Sequence, residues 1–469
     1  MSLFSSEPEA GLGSLGVTPF IPFPPLPNIV AEWAAILPLV CHLASPRDDY
    51  ITTGDVALLG RLSVGIFPRL GTLSGLARLL GRGTKYLDHA STRGGSSRTV
   101  WDVKWGSVFP CANGAACAAI SKCLISRGRP ALERMPETSS PDSRNTDCGG
   151  PTVRGGVTPK PLNDSPSEDA RKGNSREGHA KDDGIRRYQI LHVYQLYQTR
   201  KRFSLRHRFN RLRLSAPVQI VWFFFLTGLA ILLGLLGNYG SAALIVCASA
   251  SQLVALGVTI RRPISYLKNN EAHDACMLVA AHENATEWHL YIGDRAVTDT
   301  LLNKPMFVLP EGRLAHLAAN WFWFANLLQF AAMTFVAAQK GWDSVWMVVF
   351  LAIHWAVRCT LYGQTLALDW LEREGIDAKV RSFEFGGRYA MMGAIQVFSR
   401  SASTRWMDDI LTPHPRREAW LKLLKGEVLT DEFDSHDSRW LKFASEGSFA
   451  SADVLKHVFG ARGRSKALV

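Results

Sequence analysis

The stretch Ser215–Ile260 reads SAPVQIVWFFFLTGLAILLGLLGNYGSAALIVCASASQLVALGVTI and holds no Asp, Glu, Lys, Arg or His across its 46 residues. A bilayer core takes about 20 apolar helical residues, and a helix rises about 1.5 Å per residue, so one straight helix of this length would be roughly twice too long. Asn238-Tyr239-Gly240 supplies turn chemistry near the middle. The stretch therefore predicts two spans, Val218–Gly237 and Ser241–Ile260, folded as a hairpin. Farther on, Leu314–Gln339 and Ser344–Val357 are free of Asp, Glu, Lys and Arg and predict a second hairpin. The expected fold class is an all-α, multi-pass membrane protein with about four transmembrane helices in hairpins over residues 215–260 and 314–366.

Strongly basic sequence flanks the first hairpin. The net charge of the chain is +12, and between Ile185 and Leu214 there are nine Lys or Arg residues and no acid. A nucleic-acid footprint is also basic. Beside an apolar span, however, such a cluster sets orientation and binds anionic lipid. Arg200, Lys201, Arg202, Arg206, Arg208, Arg211 and Arg213 are the expected lipid-binding residues, membrane lipids the expected partner, and no nucleic acid is implied. Together with Arg261 and Arg262 after the second span, they place both ends of the first hairpin in the cytosol. An even number of spans would leave both termini there as well.

The remaining chain divides by composition. Residues 1–90 form a Pro- and Gly-rich N-terminus with amphipathic segments. The apolar run at residues 29–45 is broken by Glu32, Pro38 and His42 and suits a packed or interfacial helix better than a fifth span. Leu62–Leu80 carries Arg61, Arg69 and Arg78 through or beside an apolar run, which reads as a basic amphipathic segment. Residues 91–184 are rich in Gly, Ser, Pro, Asp and Arg and are expected to be a disordered linker. Residues 185–214 are the polybasic juxtamembrane segment, 261–313 a small α/β cytosolic loop, and 367–469 a cytosolic tail with helical pieces at Tyr389–Phe398 and Pro415–Lys425. In the loop, Ala275–Ala281 and Glu287–Gly293 read as strands and Arg295–Asn303 as a helix.

Residues Arg262–Leu267, Asp274–Val279 and Leu290–Arg295 resemble uncharacterised integral membrane proteins of filamentous fungi, over roughly residues 185–430. The resemblance implies a membrane location and a fungal source. It implies no activity.

The candidate sites lie in the hairpins. Asn326 and Gln329 share one face of the third span, and His354 and Arg358 share one face of the fourth. Folded about Trp342, Gln329 lies 13 residues before the turn and His354 lies 12 after it, while Asn326 and Arg358 lie 16 on either side. The two pairs should meet at matching depth as an intramembrane polar cluster, either gluing helices or forming a ligand site. Ala243, Cys247, Ser251 and Ala255 form a small-residue stripe suited to helix packing. His273, Asp274, Cys276, His282, Glu283 and His289 match no metal or hydrolase spacing, and Cys111, Cys117 and Cys123 recur every six residues, which fits no zinc site. No catalytic, metal or cofactor site is expected. The function read from these residues is a non-catalytic membrane scaffold or interaction protein, with a small transporter or channel component as the alternative.

Overall fold

The computed structural model describes residues 24, 26–44, 49–64, 71–92, 97–136, 188–199, 216–269, 271, 273–339, 341–357, 365–429 and 433–460. The chain forms two compact units. The first comprises Met1–Glu133, Ile190–Phe383 and Ser399–Pro413, and the second Arg134–Gln189, Glu384–Phe398 and His414–Val469.

The first unit is organised on a seven-stranded sheet, which overturns the all-α reading. In chain order its strands are β1 (Thr99–Asp102), β2 (Ser107–Pro110), β3 (Leu132–Arg134), β4 (Gln189–Gln198), β5 (Ala275–Ala280), β6 (Glu287–Gly293) and β7 (Ile376–Phe385). Their spatial order is β2-β1-β5-β6-β4-β7-β3. β1 pairs antiparallel with β2 and with β5, β5 antiparallel with β6, and β6 parallel with β4. The protein is thus an α/β fold.

Five of these strands, β1, β2, β3, β4 and β7, lay hidden in the sequence, β1–β3 in the stretch read as a linker. β4 sits inside the segment read as polybasic, yet QILHVYQLYQ carries no Lys, Arg, Asp or Glu, and its residues are mostly buried. A strand covered on both faces shows no polar alternation. β1 and β2 fall in the stretch read as a linker; they are four residues each and are joined by a tight turn. There Asp102 Oδ1 accepts from the N–H groups of Lys104 and Trp105 at 3.0 and 3.2 Å. β7 lies in the stretch read as a tail. β5 and β6, and the helix that follows them, occur where the sequence places them.

The helices of the first unit are α1 (Asn28–Ala44), α2 (Asp49–Leu59), α3 (Thr72–Arg82), α4 (Thr84–Thr92), α5 (Gly114–Gly128), α6 (Ala216–Leu235), α7 (Tyr239–Gly257), α8 (Arg295–Leu302), α9 (Arg313–Gln339), α10 (Trp342–Val357) and α11 (Thr365–Glu374). α5 lies over β6, and α2 and α11 pack on α5. α3 buries Leu73, Leu76, Leu79 and Leu80 and packs along α9, so the amphipathic segment lies on the protein itself. One apolar core runs without a break from the sheet, through Met277, Val279 and Tyr291, to Cys247 and Ala255 of α7 and Ala318, Phe322 and Ala325 of α9.

Arg262 and Arg373 fix the end of α2. Arg262 Nη1 donates to the carbonyls of Ala57 and Met306 at 2.6 and 2.7 Å, and Arg373 donates to those of Leu58 and Leu59 at 2.6 and 3.0 Å. Cations are favoured at a helix C-terminus, where the last carbonyls lack helical partners.

The second unit contains α12 (Arg388–Ser399), α13 (Pro415–Lys425) and α14 (Ser435–Phe459), matching the two helical pieces expected in the tail and adding a longer third. Tyr389 meets Trp420 and Trp440 edge-on at 5.2 and 4.9 Å, and the Arg416 guanidinium lies 3.9 Å from the Trp440 ring centre. Gly393 faces Ser448 and Trp420 with no room for a Cβ.

Candidate functional site

Two helices, Tyr239–Gly257 and Arg313–Gln339, are long and apolar enough to cross a membrane, and Asn28–Cys41, Ile220–Leu235 and Trp342–Ala356 are apolar but shorter. The outward faces of all five are apolar. Trp33 is 71% exposed, Phe224 66%, Leu317 64%, Trp323 60% and Trp355 70%, alongside exposed Ile36, Val221, Val246, Leu253 and Phe324. Monomers in water seldom expose apolar patches above a few hundred Å².

Inside this helix group the polar contacts run between named helices. Cys247 Sγ lies 3.5 Å from the Ala325 carbonyl, and Trp321 Nε1 donates to Ser251 Oγ at 3.2 Å, both joining α7 to α9. The small-residue stripe therefore packs on α9 through Cys247, Ser251 and Ala255, all buried; Ala243 is exposed and takes no part. At the hairpin turns, Asp343 accepts from the N–H groups of Gly240 and Ser241 at 2.6 and 2.7 Å. Read from sequence, the second hairpin folds about Trp342 and Asp343 is not singled out; an acid one residue into a helix, facing a second helix start, is the signal that could have found it.

Of the expected polar cluster, Gln329 is buried, Asn326 and His354 are half-buried, and Arg358 lies outside the described residues. α10 leans chiefly on α1 and α7 and less on α9. Arg200, Lys201, Arg202, Arg206, Arg208, Arg211 and Arg213 also lie outside the described residues.

A second polar assembly lies on the sheet. Parallel pairing sets His192 beside His289 and Tyr194 beside Tyr291, because residues two apart on each strand share a face. The imidazoles stack at 5.5 Å and the phenol rings at 4.8 Å. α5 lays Cys117 and Ser121, one helical turn apart, over Tyr291, whose hydroxyl lies 2.9 Å from Cys117 Sγ and 2.7 Å from Ser121 Oγ. Tyr194 Oη lies 3.1 Å from His289 Nδ1, His192 Nδ1 lies 2.7 Å from Ser382 Oγ, and Glu287 lies 3.2 Å from His192 Nε2. Gly293 closes β6 at φ +116° where the Leu196 backbone leaves no space for a side chain.

Burial governs the titration of this assembly. It drives His289 down to about 3, with the nearby His192 and Arg98 adding to the fall. Burial also lowers His192, against the pull of Glu287. Both Tyr194 and Tyr291 are raised, again by burial first. The hydrogen bond with Cys111 pulls the Cys117 thiol down, and the same contact raises Cys111. The chain from Glu287 to Cys117 joins β6, β4 and α5 through side-chain donors and acceptors, with its Glu287 end half-exposed. Such a network pins the register of β4 against β6 and the seat of α5. Among the described residues no group of His, Cys, Asp and Glu is arranged to hold a metal ion.

No family model matches the chain, and neither a curated protein nor a solved structure shows significant similarity to it.

Proposed function

We propose that this is a membrane-anchored α/β protein with a non-catalytic scaffold or interaction role, its helical part crossing the bilayer and its sheet lying on the cytosolic side. The apolar outer faces of α1, α6, α7, α9 and α10 carry this reading. In water they would be a severe aggregation liability, whereas in lipid they are the ordinary surface. The basic residues Arg200–Arg213 and Arg261-Arg262 support the cytosolic placement of the sheet and an anionic lipid surface as partner.

α1 supports a fifth crossing in place of the expected four. Trp342 Nε1 donates to the Pro24 carbonyl at 2.8 Å, so α1 begins beside the hairpin turns. It ends before α2, whose last carbonyls are held by Arg262 at the sheet end. Its 17 residues span about 25 Å at about 1.5 Å each, close to a bilayer core. On this reading the N-terminus faces away from the sheet.

Glycan mapping in a eukaryotic secretory system tests the arrangement. With Ser5→Asn and Glu7→Thr together, an N-terminal sequon should gain a sugar while the native Asn284 stays bare. Sugar on Asn284, or release of the protein by alkaline carbonate, would overturn the proposal.

A further inference from the structure

The segment between α7 and α9 builds a pocket of about 770 Å³ lined by Arg261, Arg262, Ser265, Lys268, Asn269 and Lys304, with Ile264 and Val308 at its rim. We infer that this pocket binds a phosphate group, presented either by a lipid headgroup or by a soluble phosphate compound. The inference rests on the membrane reading for its lipid source alone.

Charge comes first. Four cations line the pocket against one carboxylate, Glu271, and that carboxylate is held by buried Arg295 at 2.8 Å. Lys304 leans toward Asp299 at 3.8 Å, while Arg261 and Lys268 form no ion pair among the described residues. Arg262 spends its hydrogen bonds on the carbonyls of Ala57, Leu58 and Met306, which are neutral, so its positive charge is left uncompensated by them. An anion is the complement of this lining, and a phosphate with three acceptor oxygens suits several converging donors.

The walls are built, not draped. Arg261 and Val308 form a two-bond backbone bridge, with N···O distances of 3.4 and 2.8 Å, tying the exit of α7 to the entry of α9. Leu267 N–H donates to Thr300 Oγ1 at 3.1 Å, and Asn113 Nδ2 donates to the Lys304 carbonyl at 2.8 Å, so both sides are fixed to buried groups. Asn269 Oδ1 accepts from Glu271 N–H at 3.4 Å, and its buried Nδ2 finds no acceptor among the described residues. A donor held there in want of an acceptor is what an anionic ligand would satisfy.

Position favours an amphiphile. The bridge lies between the end of one membrane-length helix and the start of the other, the lining residue Ile264 is 92% exposed, and the first turns of α9 carry Leu314 and Leu317, 75% and 64% exposed. Headgroup phosphate in the pocket would set acyl chains against that apolar edge.

Binding of two probes to the full-length protein in phosphatidylcholine nanodiscs tests the inference: dioctanoyl phosphatidic acid, and glycerol 3-phosphate lacking chains. Saturable binding of the phosphatidic acid, weakened about tenfold or more by Arg261→Gln with Lys268→Gln and kept by Arg261→Lys with Lys268→Arg, is the expected result. If glycerol 3-phosphate binds as tightly as the lipid and with the same sensitivity, the phosphate pocket stands and its source is soluble. Failure of both probes to saturate, or equal binding by the charge-removed variant with an unchanged melting temperature, would overturn it. Neither failure touches the glycan map, and a failed glycan map leaves the glycerol 3-phosphate result intact.

Discussion

Asp343 and Ser241 hold each other twice: Asp343 Oδ1 accepts from the Ser241 N–H at 2.7 Å, and Ser241 Oγ donates to the Asp343 carbonyl at 2.9 Å. Because Asp343 lies in the first turn of α10 and Ser241 in the first turn of α7, this doubly bonded pair, Ser241 donating and Asp343 accepting in both, joins the starts of two helices from different hairpins. Both residues are buried, and Gly240 beside them leaves no space for a Cβ against Val336 and Asp343.

Asp343→Ala should therefore destabilise the helix group more than any single apolar truncation on its outer face. Two N–H groups at the start of α7 would lose their acceptors, at a cost of about 2–4 kcal/mol. Asp343→Asn keeps one acceptor and should lose about half of that. Thermal unfolding of the detergent-solubilised protein would read both; equal melting of wild type and Asp343→Ala would remove the lock from the account.

The Tyr291 hydroxyl joins Cys117 and Ser121 of α5 to the sheet. Tyr291→Phe should cost about 1–2 kcal/mol, since two buried groups lose their partner at once. Ser121→Ala should cost less, and the double variant little more than Tyr291→Phe alone, because the two changes remove one shared bond. Full additivity in the melting data would show that the hydroxyls act separately.

Acid should loosen the same sheet. In the unfolded chain His289 takes a proton near the ordinary value of about 6.5, whereas burial holds the folded form down to about 3. Below the ordinary value the unfolded state binds more protons, so stability is full above that pH and falls as the pH drops toward the folded value. His192, also lowered by burial, works in the same direction. The melting temperature should fall steadily as pH drops from about 6.5 to 4, and His289→Gln should flatten the slope. A slope unchanged in that variant would place the acid sensitivity elsewhere.

What the sequence disclosed follows from the range over which its signals act. Apolar runs announced α6, α7, α9 and α10 because a long apolar helix is coded locally, by composition alone. β5 and β6 were legible from short buried runs with turn residues between them. β4 was not, since the charges on either side of it dominated the composition, and pairing with β6 is information held 95 residues away, as between Tyr194 and His289. The polar assembly did leave a trace: His192 with Tyr194 and His289 with Tyr291 repeat the same His-x-Tyr alternation on two strands. That repeat means little until parallel register sets the pairs side by side. The stripe from Cys247 to Ala255 was readable, but its partner, α9, was decided by Trp321 and Ala325 far along the chain.

In the second unit, Gly393→Ala should destabilise by about 1–3 kcal/mol, because the new methyl would press on Ser448 and the Trp420 ring. Adding Ser448→Gly should return part of the loss, since the nearest contact is the serine side chain. Absence of any rescue would point to Trp420 as the harder wall.

Arg262 offers the sharpest contrast within the pocket between α7 and α9. Its guanidinium is tied to three carbonyls and lies 4.6 Å from the Tyr266 ring centre, so it holds α2 to the segment after α7. Arg262→Met keeps the length of the stem but leaves those carbonyls short of donors, and should cost about 2–4 kcal/mol. Arg261, its neighbour, uses its backbone for the bridge to Val308, so Arg261→Gln should leave the melting temperature nearly unchanged. Melting curves of the two variants side by side separate structure from binding in one pocket. If Arg261→Gln unfolds the protein as readily as Arg262→Met, the side chain of Arg261 belongs to the fold and loss of ligand in its variants would no longer report on the pocket.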